Sequence, residues 1–405
     1  MTVAMPAPQP APPHVPAELV RDFDWHIADF DPLDPWSKRA SVATWPRVFY
    51  SRCLAPGMSS MGAWIVHKPE DIRHVLQNPA LFSSEKIMSA AMVRELEVLP
   101  LEAEPAKHKQ IRKLLNPLFS PARVQELSSD IREMAVRLVD AVVKDGGCDF
   151  VTAFSRPFPV LIFLRMMGMP LEQVHTFLEW EYQFLHTPDP AIRAAAGEKI
   201  TGYFEDLIAD RRRAPRDDLF SAIVNGTIDG RPVTDVEALG IGYNLFTGGL
   251  DTVTTTSEWL FSWLAQHPEH QARLRANPGE IPDAMEELLR LFPVIMTHRW
   301  ATADAVIGGV SIAAGDAIGI PIVVANYDPD AFEQPAKPDF TRGRPRHLTF
   351  GSGPHTCLGV HLARRELQIA MEEWLARVPP FSVKPGTQLV AHPGIVGLIT
   401  LPLVW

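Results

Sequence analysis

"FGSGPHTCLGVHLARRE", residues 350–366, sets two glycines, a histidine and a cysteine directly ahead of an amphipathic run. Beyond Cys357, apolar side chains recur at Ala363, Leu367, Ala370 or Met371, Trp374 and Val378, the spacing of one buried helix face. Cys357 is therefore expected just before, or in, the first turn of a helix. Backbone N–H groups there point at the sulfur, and the helix dipole favours negative charge. Both effects stabilise a thiolate. Gly351 and Gly353 let the incoming loop turn tightly, and Gly359 leaves room for a flat object near the helix start.

Four roles compete for Cys357. It can be a buried structural cysteine. It can be a covalent nucleophile, with His355 or His361 as its base. A dinucleotide-binding loop requires a third glycine where this segment has Thr356. A thiolate ligand to haem iron accounts for the glycines, the dipole and the flanking cations together.

The bulk composition narrows the field. The chain has 405 residues, 46% of them hydrophobic and 21% charged, and a net charge of −10. That describes a globular protein with a substantial core, and it disfavours nucleic acid as a partner. The three cysteines, Cys53, Cys148 and Cys357, lack the CxxC spacing of an iron–sulfur or all-cysteine zinc site. They suit a reducing, cytoplasmic compartment. Residues 1–16 are proline-rich without a basic start or an apolar core, and are expected to form a flexible tail. Residues 17–405 are expected to form a single folded domain. No run approaches the roughly eighteen apolar residues of a membrane span.

The predicted fold is mainly α with small β-sheets gathered late in the chain. The apolar spacing predicts helices near residues 107–118, 121–144, 171–182 and 191–213. The longest candidate is "TDVEALGIGYNLFTGGLDTVTTTSEWLFSWLAQHP". Thr234 and Glu237 have capping-box spacing, and Pro268 closes the segment. Its centre holds Gly248, Gly249 and the run Thr254, Thr255, Thr256, all poor helix formers. A long helix with a weakened centre predicts a bend where something must fit.

The loop "FGSGPHTCLG" resembles the haem-binding pattern of the cytochrome P450 family, FxxGxxxCxG with a basic residue two before the cysteine. "GGLDT", "EELLR", "HLARRE" and the ending "LPLVW" extend the resemblance to soluble bacterial members of the camphor-hydroxylase type. The resemblance implies a haem b (iron protoporphyrin IX) monooxygenase with Cys357 as the iron ligand. Phe350 would pack under the porphyrin, Gly359 would give it room, and His108, Arg112, Arg299 and His355 would hold its propionates. Gly248 and Gly249 would form an oxygen-binding groove, with Thr252 hydrogen-bonding inside it and Asp251 relaying protons toward it. Glu287 and Arg290, joined by Arg342, would form a structural lock.

The same resemblance places Ile87, Leu96, Leu245, Thr247, Ile295, Thr297, Ile395 and Val396 in a substrate pocket, with Met61, Met88 and Met92 adding adaptable surface. The camphor enzyme has a ketone-binding tyrosine where Leu96 stands, so the expected substrate is a compact apolar molecule other than camphor, a terpenoid or norisoprenoid. The haem domain is expected to fill the 405 residues, without a flavin or nicotinamide domain. The implied electron source for O2 activation is a [2Fe–2S] ferredoxin with an NADH-dependent ferredoxin reductase. It would dock on Lys109, Arg112 and Lys113, joined by Arg364 and Arg365. A peroxide-driven enzyme, a haem-based sensor and a cysteine hydrolase are the competing functions.

Overall fold

The computed structural model describes residues 10–21, 39–52, 62–87, 96–187, 189–343, 345–391 and 397–405. Helices dominate. The helix after the cysteine, Val360–Arg377, buries Leu367, Ala370, Met371 and Trp374, the stripe expected from the sequence. It packs chiefly on Pro121–Val142, whose start is fixed by Pro121 and by Ser120, which accepts a hydrogen bond from the Arg123 amide. Trp374 is fully buried among Phe150, Phe154 and Phe261, with ring centroids 4.9, 5.4 and 5.6 Å away.

The long central segment is two helices, Asp235–Gly249 and Asp251–Gln266. Its capping box forms as expected: the Thr234 hydroxyl accepts from the Glu237 amide at 3.2 Å, and the Glu237 carboxylate accepts from the Thr234 amide at 3.0 Å. The break falls at Leu250 (φ −91°, ψ −64°), directly after the glycine pair. The remaining expected helices appear at Pro105–Leu115, Val174–Leu185 and Pro190–Arg213.

The sheets do not gather late in the chain. The largest has five strands, in the order Val48–Ser51, Ala63–Val66, Ala317–Ile320, Thr297–Ala301 and Phe82–Ser83. Three of these strands lie before residue 90. Val48–Ser51 and Ala63–Val66 are buried at every position, so they show no alternation for a sequence reading to detect. The described part of the expected tail also departs from a free coil. Val15 is buried against this sheet, and His14 bonds Asp316 at 2.9 Å. Short loop-like runs of this kind acquire a place only through their partner surface.

Trp374→Ala is expected to destabilise the protein by about 3–5 kcal/mol through the cavity it leaves. Urea denaturation would check this, and a loss below about 1 kcal/mol would mean that the aromatic cluster collapses into the space.

Candidate cofactor and oxygen site

Two glycines in the left-handed region shape the loop before the cysteine helix. Gly351 has φ +75° and Gly353 φ +74°, and a Cβ on Gly353 would lie 2.5 Å from the Leu76 carbonyl oxygen. The Cys357 amide donates to the Phe350 carbonyl at 2.9 Å, and Arg112 Nη1 donates to the Thr356 carbonyl at 2.8 Å. Cys357 lies three residues before Val360 opens the helix. Its side chain is open by surface area, yet enclosed by protein. That combination marks a residue lining a concavity. Enclosure pushes the thiol pKa up, while the Gly359 amide and the charges of Arg112 and Arg364 oppose the rise.

Four basic groups surround this concavity. The rings of His108 and His355 stack with centroids 4.0 Å apart, and His108 Nε2 is buried without a hydrogen-bond partner. Burial and the nearby charges of Arg112 and Arg299 lower His108 to about 4. Burial, His108 and the same two arginines lower His355 to about 3. Arg299 is 4% exposed, and burial lowers it to about 10. Its bonds run to the Thr297 hydroxyl and the His298 carbonyl, at 3.2 and 2.6 Å. Among the described residues no carboxylate pairs with any of the four.

Such a cluster is costly unless negative charge enters it. A Cβ built on Gly249 or Gly359 would meet nothing within 4 Å, and one on Gly248 only Asn244 Oδ1 at 4.0 Å. Open space at these glycines, a recessed thiol, two arginines without a carboxylate partner and two neutral imidazoles fit a flat group carrying two carboxylates and a metal.

The comparisons with known proteins agree with this reading. The family model described as cytochrome P450 matches residues 160–391. A "Probable cytochrome P450 127A1" of Sinorhizobium fredii is 36% identical over 98% of this chain and 97% of its own length. The "Mycinamicin IV hydroxylase/epoxidase" of Micromonospora griseorubida is 33% identical, covering 85% of this chain and 89% of its own. The crystal structures of CYP101J2 and CYP101C1 each superpose with a TM-score of 0.86, at 29% and 32% identity. Both comparisons cover 98% of this chain and 99% of the other.

The chain is a cytochrome P450. Its cofactor is accordingly haem b. Cys357 would hold the iron, and His108, Arg112, Arg299 and His355 would meet the propionates. When bound, the haem supplies oxygen activation, with the thiolate pushing electron density toward O–O cleavage. The two histidines, held neutral by their surroundings, remain hydrogen-bond donors through one ring nitrogen each.

A second charged system in this P450 is complete without a ligand. Arg290 donates to Glu287 at 2.9 and 2.7 Å, and both side chains are fully buried. Arg342 Nε and the Asp339 amide donate to the same carboxylate at 3.2 and 3.1 Å. Arg290 also reaches the Asn326 and Pro335 carbonyls, at 2.7 and 2.9 Å. Next to it, Glu286 accepts from Arg364 at 2.5 and 2.9 Å and lies 3.2 Å from His347 Nε2. Burial opposes its ionisation, but these two partners bring Glu286 down to about 2. The helix Ile281–Leu291 thereby grips the chain on both sides of the cysteine loop.

At the helix break the Thr252 hydroxyl donates to the Gly248 carbonyl at 2.9 Å. Asp251 is buried, and its Oδ1 lies 2.9 Å from His186 Nε2. Glu181 Oε1 lies 3.7 Å from the same nitrogen. Burial alone would lower His186, yet its contacts with Asp251 and Glu181 raise it to about 9. Sequence reasoning missed both partners. His186 is 65 residues from Asp251, and no motif marks either residue.

The expected pocket residues separate into groups. Ile87, Leu245, Ile295 and Thr297 keep open surface. Leu96 belongs to the core around Val98 and Phe246, and Thr247 is buried with its hydroxyl donating to the Tyr243 carbonyl at 3.0 Å. Ile395, Val396, Met61, Met88 and Met92 lie outside the described residues.

Glu287→Ala would leave the Arg290 guanidinium buried without its charge partner. A loss of about 3–5 kcal/mol is expected, with little haem retained on purification. The ratio of haem to protein absorbance checks it, and a normal ratio would mean that the lock is dispensable.

Proposed function

We propose that this P450 hydroxylates a compact apolar substrate, of terpenoid or norisoprenoid type, using O2 and electrons from a [2Fe–2S] ferredoxin. The observation that carries the reading is the break in the central helix. It brings Gly248, Gly249, Asp251 and Thr252 together at one point, with open space over both glycines. Gly248 and Gly249 leave room for oxygen. Thr252 offers a hydroxyl whose own hydrogen bond can exchange between the Gly248 carbonyl and a ligand. Asp251 is a buried carboxylate one residue away, suited to carrying protons to that space. A peroxide-driven enzyme has no need of such a pair.

Ile87, Leu245 and Ile295 offer aliphatic contact and little hydrogen bonding, which suits a hydrocarbon skeleton. The likeness to CYP101J2 and CYP101C1 over nearly the whole chain supports the camphor-hydroxylase type. A spectral titration of the purified protein with terpenoids, aromatics and fatty acids tests the reading. Terpenoids or norisoprenoids are expected to displace water from the iron and shift the Soret band. A shift confined to fatty acids or macrolides would overturn it.

For the electron donor, the helix Pro105–Leu115 presents exposed Lys109 and Lys113, beside Arg112, which contacts the cysteine loop. Arg364 is ion-paired with Glu286, whereas Arg365 donates to the neutral Ser128 hydroxyl at 2.8 Å and keeps its charge. An acidic ferredoxin would meet a small local basic patch on an acidic protein. Replacing Lys109 and Lys113 by glutamine is expected to slow ferredoxin reduction about tenfold at low salt, with the difference shrinking as salt rises. Equal stopped-flow rates would remove this patch from the interface.

A further inference from the structure

The first half of the central helix, Asp235–Gly249, is buried along most of its length. From Ala238 to Phe246 every side chain is aliphatic or aromatic, glycines aside, except that of Asn244. Asn244 keeps open surface, as does Leu245 beside it, while Ile241, Tyr243, Phe246 and Thr247 are buried. A Cβ built on Gly248 would lie 4.0 Å from Asn244 Oδ1. The carboxamide therefore borders the open space over the glycine pair, one helical turn before Gly248. The Asn244 backbone carbonyl lies 3.5 Å from the Thr247 hydroxyl, but its carboxamide forms no hydrogen bond among the described residues.

The neighbouring hydroxyls are already engaged. Thr247 Oγ1 donates to the Tyr243 carbonyl at 3.0 Å, Thr252 Oγ1 donates to the Gly248 carbonyl at 2.9 Å, and Thr297 Oγ1 accepts from Arg299 at 3.2 Å. The Tyr243 hydroxyl is buried without a partner, but it points elsewhere. Its ring meets Phe184 edge-on at 5.6 Å, and a Cβ on Gly197 would lie 4.0 Å from its oxygen. Asparagine is a poor choice inside a helix, because its amide competes for backbone hydrogen bonds. Here it gives the chain neither a cap nor a side-chain bond in return. A half-buried amide beside open space is completed by an atom that comes from outside the chain.

We infer that Asn244 is a specificity-determining residue: its carboxamide hydrogen-bonds one oxygen of the substrate, so the preferred molecule is a compact terpenoid or norisoprenoid that already carries a ketone or hydroxyl. This inference rests on the reading of the pocket as one for a compact apolar molecule and adds to it the polar contact that selects among such molecules. Nδ2 donates to a ketone or hydroxyl oxygen, and Oδ1 accepts from a hydroxyl. Ile87, Leu245 and Ile295 are left for the hydrocarbon skeleton. A plain hydrocarbon would strip water from the carboxamide and leave it unpaired, and the discrimination arises there. One anchored oxygen also stops an apolar molecule from tumbling, so that it presents the same C–H bonds at each turnover.

The test compares the haem-loaded wild type with Asn244→Leu, close in size but apolar, and with Asn244→Ala. The probes are ketones matched with hydrocarbons of the same skeleton: menthone with p-menthane, and fenchone with fenchane. Menthol tests a hydroxyl on the first skeleton. Dissociation constants are read from the Soret shift. A second readout needs no turnover. The reduced, carbon monoxide-bound protein is isotope-labelled at its asparagine side-chain nitrogens, and the Asn244 amide signal is assigned by its absence from either variant.

The wild type is expected to bind the ketone of at least one pair about tenfold more tightly than its hydrocarbon, the fold-change of one hydrogen bond to a group otherwise left unpaired. Asn244→Leu should cancel or reverse that preference, with the ketone bound more weakly and the hydrocarbon more tightly. A merely structural role would weaken both members of a pair alike. Product from menthone should spread over more carbon positions in Asn244→Leu. The Asn244 amide signal should move downfield with menthone and not with p-menthane. Equal affinity for ketone and hydrocarbon in the wild type, or an unchanged ketone preference in both variants, would overturn the inference and leave the compact-substrate reading standing. If Asn244→Leu fails to load haem, Asn244→Ala and the wild-type comparison still decide. The absence of a Soret shift with every one of these terpenoids would instead remove that underlying reading, and the inference with it.

Discussion

Arg299 is buried, and with Arg112 it acts electrostatically on His108 and His355; among the described residues none of the four has a carboxylate partner. A folded chain rarely tolerates such a concentration of desolvated basic groups. The constraint resolves if the cavity belongs to a dianionic ligand. Haem would bring two carboxylates to the basic groups, and its iron would meet the recessed sulfur of Cys357. The protein around it is then best understood as a container whose electrostatics close only when the cofactor is inside. The glycines at 248, 249 and 359 would serve the same requirement sterically, since the space beside them is open.

The Glu287, Arg290 and Arg342 cluster obeys the opposite logic. Every charge in it is answered by another group of the same chain, with backbone carbonyls taking the remaining guanidinium hydrogens. It can form before any ligand arrives. Glu286, its neighbour, reaches His347 on one side of the cysteine loop and Arg364 on the other. Thr349 adds a hydrogen bond from its hydroxyl to the Leu289 carbonyl at 2.8 Å. One helix therefore fixes the loop that presents the sulfur, so a rigid and self-satisfied element supports one that is completed by its ligand.

The central helix combines both behaviours. Its first half is held by a capping box, and its second half is buried almost throughout. Between them the glycine pair and Leu250 interrupt the regular path. A break in the middle of a well-anchored helix places backbone and side-chain polar groups where a continuous helix would bury its own hydrogen bonds. The proposed oxygen chemistry would sit at this interruption, which two strong anchors hold in register on either side.

Much of this was legible in the residue order. The helical stripe from Leu367 to Trp374, the capping box at Thr234, the weakened centre at Gly248 and the turn glycines before Cys357 are local features. Their geometry follows from spacing and from backbone preference. The cysteine motif and its companion segments carried the family resemblance, because the ligand imposes fixed distances along a short piece of chain. The two early strands were not legible, since burial on both faces removes the alternation that marks a strand. Nor was the pairing of His186 with Asp251, or the meeting of His108 with His355 and Arg299. Those contacts join residues from distant parts of the chain, and only the packed helices and the five-stranded sheet bring their charges close enough to shift one another's ionisation.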